Sequence, residues 1–146
     1  MVFGADKQFY LKFECVSDKY FIDVKGNLSH IELLKLMGKS LIYIGNSISD
    51  GMPNTLLEAI IMGAFPIQSN PGGATTEIIK DKINGLLIDK CEDLDEISQK
   101  IILALSNNDL LQEAFDYNKK LQFKLEFKYI RDQVVEKYNL VENELK

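Results

Sequence analysis

Apolar residues follow two alternating rhythms along this chain, short unbroken runs and helical stripes. Val2 to Phe3 and Phe21 to Lys25 read as strands, ended by Gly4 and by Gly26-Asn27. Ser29 and Glu32 stand at the spacing of a capping box, in which each satisfies an orphan amide, and the helix they open is predicted to reach about Met37. Leu41 to Ile44 is continuously apolar, as in a strand covered on both faces of a parallel sheet. Pro53 suits the first turn of the next helix, where its missing N–H costs nothing, and Thr55 to Met62 extends it to a stop at Gly63. Ala64 to Ser69 is the following strand, its start made irregular by Pro66. A loop at Asn70 to Gly73, a short helix at Thr75 to Lys80, a turn at Asn84-Gly85 and a strand at Leu86 to Ile88 come next. Asp93 and Glu96 predict a second capped start, after which Leu94, Ile97, Ile101 and Leu105 share an inward face. Beyond Asn107-Asn108-Asp109 the chain is predicted helical to its end, with an apolar stripe at Phe127, Ile130, Val134 and Tyr138.

Strands alternating with helices over short loops indicate an α/β domain with a mainly parallel sheet. At 146 residues the chain is expected to form one domain over 1–146 and to bury roughly two thirds of its unfolded surface. No apolar run approaches the roughly 20 residues that span a bilayer, and the N-terminal residues lack the pattern of a signal peptide, so a cytoplasmic protein is expected. Cys15 and Cys91 lie far apart without a C-x-x-C or a nearby His, which suits reduced, buried thiols. The net charge of −5 gives no overall attraction to nucleic acid, so an anionic ligand needs local donors. His30 falls in the first turn of a capped helix, without a motif partner. Asp93-Leu94-Asp95 resembles a D-x-D metal motif but is more simply a helix cap, and no metal ligand set is expected. Lys119, Lys120, Lys124 and Lys128 read as a solvated helix face, with docking to another domain or an anionic membrane surface as the alternative.

In open sheets of this class ligands bind at the carboxyl ends of the strands, where residues 45–55 and 69–75 would lie. There the first amides of the helix after Pro53, at Asn54, Thr55 and Leu56, can hydrogen-bond phosphate oxygens. Asp50, before the helix, can accept from sugar hydroxyls, and Glu58, one to two turns inside it, can hold a ribose diol. A plainer account makes Asp50 a dipole-matched acid and Glu58 a surface residue. Spacing does not choose between them.

The order of residues from Ser47 through Ile79, followed by Asn84 to Ile88, closely resembles the nucleotide-binding half of family 4 (group 1) GT-B glycosyltransferases, over about residues 21–106. That family carries E-x7-E. Asp50 takes the first position here, one methylene shorter, and Glu58 the second. The resemblance implies a Rossmann-like three-layer domain, the C-terminal half of a GT-B fold, with the acceptor-binding N-terminal domain absent from these 146 residues. It implies that Asp50 is catalytic and contacts the donor sugar, that Glu58 binds ribose, and that Gly51, Met52 and the amides of Asn54, Thr55 and Leu56 hold sugar and diphosphate. Lys25, Gly26 and Asn27 would present backbone to the base, and Gly72 and Gly73 would line the sugar end. The family's basic pair for the diphosphate is not evident, so turnover by this chain by itself is not expected. In function, the resemblance implies the donor-binding domain of a retaining hexosyltransferase that uses a nucleotide diphosphate sugar, expected to be a UDP-sugar, with no cofactor and no metal. Its partners would be the missing domain and a glycan or lipid-linked acceptor in polysaccharide, lipopolysaccharide or O-antigen assembly, at the inner face of the membrane. The rival reading is a noncatalytic α/β nucleotide-binding or interaction module.

Overall fold

The computed structural model describes Asp23 and residues 25–144. The strands expected at Val2 to Phe3 and Phe21 to Lys25 lie wholly or mostly outside those residues, as does Cys15. The chain divides into two compact units between Leu36 and Met37.

In the first unit, α1 spans His30–Met37, its last residue opening the second unit. The capping box forms: the Ser29 amide and hydroxyl donate to Glu32 Oε2 at 2.9 and 2.6 Å, and the Glu32 amide donates to Ser29 Oγ at 3.4 Å. Lys25 pairs with Asp23 at 3.0 Å, and Gly26 and Asn27 are exposed.

The second unit is built on three parallel strands, β1 (Ile42–Gly45), β2 (Phe65–Ser69) and β3 (Leu86–Ile88), in the order β1-β2-β3. Helix α2 (Asn54–Met62) joins β1 to β2, and a 3₁₀ turn (Ala74–Glu77) stands where a longer helix at Thr75 to Lys80 is predicted. After β3 come α3 (Leu94–Ser106), α4 (Asn108–Leu125) and α5 (Phe127–Glu144). The register sorts the side chains, because successive strand residues point to opposite faces. Ile42, Phe65, Ile67, Leu86 and Ile88 share one face and pack with Ala104, Leu110 and Ala114 of α3 and α4. Tyr43, Pro66, Gln68 and Leu87 share the other, toward α2. The result is an α/β Rossmann-like domain with helices on both faces of the sheet.

Three expectations need correcting. Among the described residues Leu41 to Ile44 is covered on both faces only in part: Ile42 packs against the core and Tyr43 is buried, but Ile44 is 45 % exposed. Pro66 does not disturb its strand, since it pairs in register with Tyr43. The Phe65 amide points at β1, donating to Leu41 at 2.9 Å, so the Pro66 nitrogen faces the other way, where the β3 ladder has not yet begun. Gly85 fits there because a Cβ would come within 2.8 Å of the Pro66 ring and carbonyl. Finally, the α3 stripe is inward only in its middle. Ile97, Ile101 and Ala104 meet the core, while Leu94 and Leu105, at the stripe's ends, are 76 % and 57 % exposed.

Candidate functional site

The carboxyl ends of β1, β2 and β3 open into three loops, residues 46–53, 70–73 and 89–93. Hydrogen bonds tie the loops at their roots. The Ser47 amide donates to Ser69 Oγ at 2.8 Å, and the same hydroxyl donates back to the Ser47 carbonyl at 3.0 Å. Thr75 Oγ1 donates to the Ser69 carbonyl at 3.1 Å, and Asn46 Nδ2 reaches the Cys91 carbonyl at 2.7 Å. The tips stay open: Asp50, Gly51, Gly72 and Gly73 are exposed. A Cβ on Gly72 would lie 3.7 Å from the Asp50 carbonyl, so the first two loops converge there. Gly73 holds φ of 81°, a left-handed conformation that suits glycine and starts the 3₁₀ turn.

Helix α2 begins beside this convergence, and its N-terminus has no side-chain cap. Pro53 is itself the N-cap residue, one place before the predicted first turn, in extended conformation (φ −69°, ψ 129°). A proline offers no side-chain acceptor, and among the described residues none accepts from the amides of Asn54 and Thr55. Leu56 departs from expectation. Its amide donates to the Pro53 carbonyl at 3.1 Å and the residue is fully buried, so it has nothing to give a ligand. Met52 and Glu58 are half-buried on either side of the helix start.

Beneath the amides lies a polar layer that no motif announced. The Tyr43 hydroxyl is 2.9 Å from Thr55 Oγ1, joining β1 to the second residue of α2. Burial above all pushes the Tyr43 pKa up; the Thr55 bond opposes the rise, and the charges of Asp50 and Glu58 add to it. Both carboxylates therefore act electrostatically on one buried hydroxyl. Gly45 makes room for this layer, since a Cβ there would overlap the Gln68 carboxamide and approach the Tyr43 hydroxyl to 2.7 Å. Gln68 is 1 % exposed, and its Oε1, like Asn70 Oδ1, is a buried acceptor without a partner among the described residues. The one available signal was a tyrosine in an otherwise aliphatic strand run.

The structure thus brings Asp50, Gly51, Met52, Asn54, Thr55, Glu58, Gly72 and Gly73 to the strand ends of one unit. Lys25, Gly26 and Asn27 belong to the other unit. Lys90 is the one basic residue in the three loops. The Asp93 carboxylate accepts from the amides of Asp95 and Glu96 at 3.1 Å each, which makes Asp93-Leu94-Asp95 a helix cap. Cys91 is a free, half-buried thiol, and Lys119, Lys120, Lys124 and Lys128 are exposed. A cavity of about 370 Å³ lies at the other end of the sheet, between the end of α2 and α4, lined by Leu41, Ile60, Phe65, Leu111 and Phe115 among others. It carries no charged lining and faces the negative end of the α2 dipole, which disfavours an anion there.

No curated protein matches the chain. Among solved structures, a glycosyltransferase from Rickettsia africae ESF-5 superposes with a TM-score of 0.73 at 22% identity, over 92% of this chain and 36% of that one. The C-terminal domain of a glycosyl transferase group 1 family protein (LpcC) from Francisella tularensis gives 0.68 at 21%, over 84% of this chain and 65% of that one. A GtfA/B complex gives 0.74 at 18%, over 97% of this chain and 29% of that one. The chain therefore has their fold and spans only part of each. The model of the family "Glycosyl transferases group 1" matches residues 3–122. By that match over most of its length, the chain belongs to the group 1 glycosyl transferases.

Proposed function

We propose that this chain is the donor-binding, C-terminal half of a retaining family 4 glycosyltransferase that takes a nucleotide diphosphate sugar, a UDP-sugar by preference. The observation that carries the reading is the uncapped start of α2, which offers the Asn54 and Thr55 amides between Asp50 and Glu58, where the Gly72 loop meets the Asp50 backbone. Uncovered amides and the positive end of the helix dipole suit a diphosphate. Glu58 takes the ribose diol, Asp50 the sugar hydroxyls, and Gly51, Met52, Gly72 and Gly73 close round the sugar. As the bond from the anomeric carbon to the diphosphate breaks, the amides receive the growing charge on the leaving oxygen, the acceptor hydroxyl oxygen bonds to that carbon, and its proton passes to the departing diphosphate. Retention, independence of a metal, and an acceptor that is a glycan or lipid-linked intermediate of polysaccharide assembly rest on the family resemblance. The acceptor half is contributed by a further domain.

One observation favours the rival, a noncatalytic nucleotide-binding or interaction module: the three loops hold a single basic residue, Lys90. Calorimetric titration with UDP separates the two readings. Wild type is expected to bind, and Glu58→Ala to weaken UDP by roughly 10- to 100-fold, since a charge-assisted contact to the diol contributes about 1.5–3 kcal/mol. Equal affinity in the variant removes Glu58 from the site, and no binding by wild type favours the interaction module.

A further inference from the structure

A helix that leaves its first amides open for a ligand gives up the side-chain cap that normally fixes its first turn. Helix α2 does so, with Pro53 at the cap. Its first turn has a different tie: the Tyr43 hydroxyl, anchored on β1, meets Thr55 Oγ1 from the side at 2.9 Å. This bond uses a side-chain atom of Thr55 and leaves the Thr55 amide untouched. The neighbouring residues accommodate it, because Gly45 keeps clear the space that a Cβ would take from the Tyr43 hydroxyl and the Gln68 carboxamide.

We propose that Tyr43 is a positioning residue for the diphosphate cradle: through Thr55 it fixes the first turn of α2 against the sheet, replacing a cap that would have occupied the ligand's amides. The ligand half of this proposal rests on the donor-site reading above. The fixing of the turn does not, because it concerns the ligand-free protein. Tyr43 touches neither the sugar nor the diphosphate, and its effect is carried by where the Asn54 and Thr55 N–H groups point. Of the site's contacts, those to phosphate depend on it and those to the nucleoside do not.

Amide hydrogen exchange in the ligand-free chain tests the fixing. The Leu56 and Leu57 amides, which donate to the Pro53 carbonyl, are expected to exchange roughly fivefold faster in Tyr43→Phe and in Thr55→Val, the loss of one net hydrogen bond. Thr55→Ser keeps the hydroxyl and is expected to exchange like wild type. Chemical-shift titrations with UDP and with uridine test the ligand half. Tyr43→Phe and Thr55→Val should weaken UDP about fivefold and leave uridine unchanged, while Thr55→Ser restores UDP. If wild type binds UDP and Tyr43→Phe binds it equally well, the donor site stands and this proposal falls. If UDP leaves the Asn54 and Thr55 amides of wild type unshifted, the donor-site reading fails and the ligand role of Tyr43 with it. Unchanged exchange at Leu56 and Leu57 in both variants overturns the fixing itself.

Discussion

Tyr43 ties strand chemistry to site chemistry, and its titration reports on both. Burial is the largest influence raising its pKa above the ordinary value of 10.0, with the negative charges of Asp50 and Glu58 adding to it and the Thr55 bond working against it. The unfolded tyrosine loses its proton first, so between the two pKa values the folded state holds the extra proton. Its contribution to stability is whole below pH 10 and is lost as pH rises through the folded pKa. Urea midpoints measured from pH 9 upward should fall more steeply for wild type than for Tyr43→Phe. Parallel curves would mean that the hydroxyl is not buried as described.

Asn84 and Asn118 form a second buried polar pair. Asn84 Nδ2 donates to Asn118 Oδ1 and Asn118 Nδ2 to the Asn84 carbonyl, each at 2.9 Å, while Asn84 Oδ1 accepts from the Lys80 amide at 2.7 Å. Asn118→Ala strips partners from groups that water cannot reach and should cost about 1–3 kcal/mol in chemical denaturation. A loss below half that would show the pair to be dispensable. At this scale the spacing of the acids at 50 and 58 was legible because it survives in one dimension, while their roles belong to the proposal. The Tyr43–Thr55 bond was not, since it joins residues of two elements whose register only the sheet supplies. The internal bond of the Leu56 amide was not legible for a related reason: it depends on where the Pro53 carbonyl points.

Helix α2 shows what an element can state about its own ends. Gly63 closes it in the left-handed region (φ 92°), its amide donating to the carbonyls of Ala59 and Ile60. Gly63→Ala should lower stability by about 1–2 kcal/mol and leave UDP binding intact at the other end of the helix. Loss of binding without loss of stability would contradict that separation. Helix α1 carries the opposite design, a filled cap. Hydrogen bonds from the Ser29 side chain and then its backbone hold the exposed Glu32 carboxyl below its ordinary pKa of 4.5, with Lys35 contributing weakly and desolvation opposing. That contribution is present above pH 4.5 and is lost as pH falls through the folded pKa. Acid titration followed at the Ser29 amide should show α1 loosening in that window, and Glu32→Gln should flatten the response.

Elements marked by glycine, proline or a cap were readable almost to the residue, as β3 and the ends of α2 show. The α3 stripe misled because periodicity gives a face but not how far the opposing layer extends. Residues 97, 101 and 104 meet that layer and 94 and 105 overrun it. The α5 stripe is a stronger case, with Phe127 80 % exposed and Ile130, Val134 and Tyr138 exposed as well.

For the whole molecule, the fold was legible because alternating strands and helices with short loops admit few arrangements. The place where the candidate loops gather was legible in part, since a parallel sheet gathers its loops at one end. The chain spans 36% of the Rickettsia africae glycosyltransferase on which it superposes. No helix among the described residues is long and apolar enough to cross a membrane. The central question is therefore whether the loops of this one chain hold a nucleoside diphosphate. A proton–nitrogen correlation titration of the wild-type chain with UDP addresses that directly. Saturable shifts confined to residues 50–58 and 72–73, with Asn54 and Thr55 among the largest, are the expected result. Absence of shifts at millimolar UDP, or shifts centred on Leu41, Leu111 and Phe115 at the opposite end of the sheet, would contradict it.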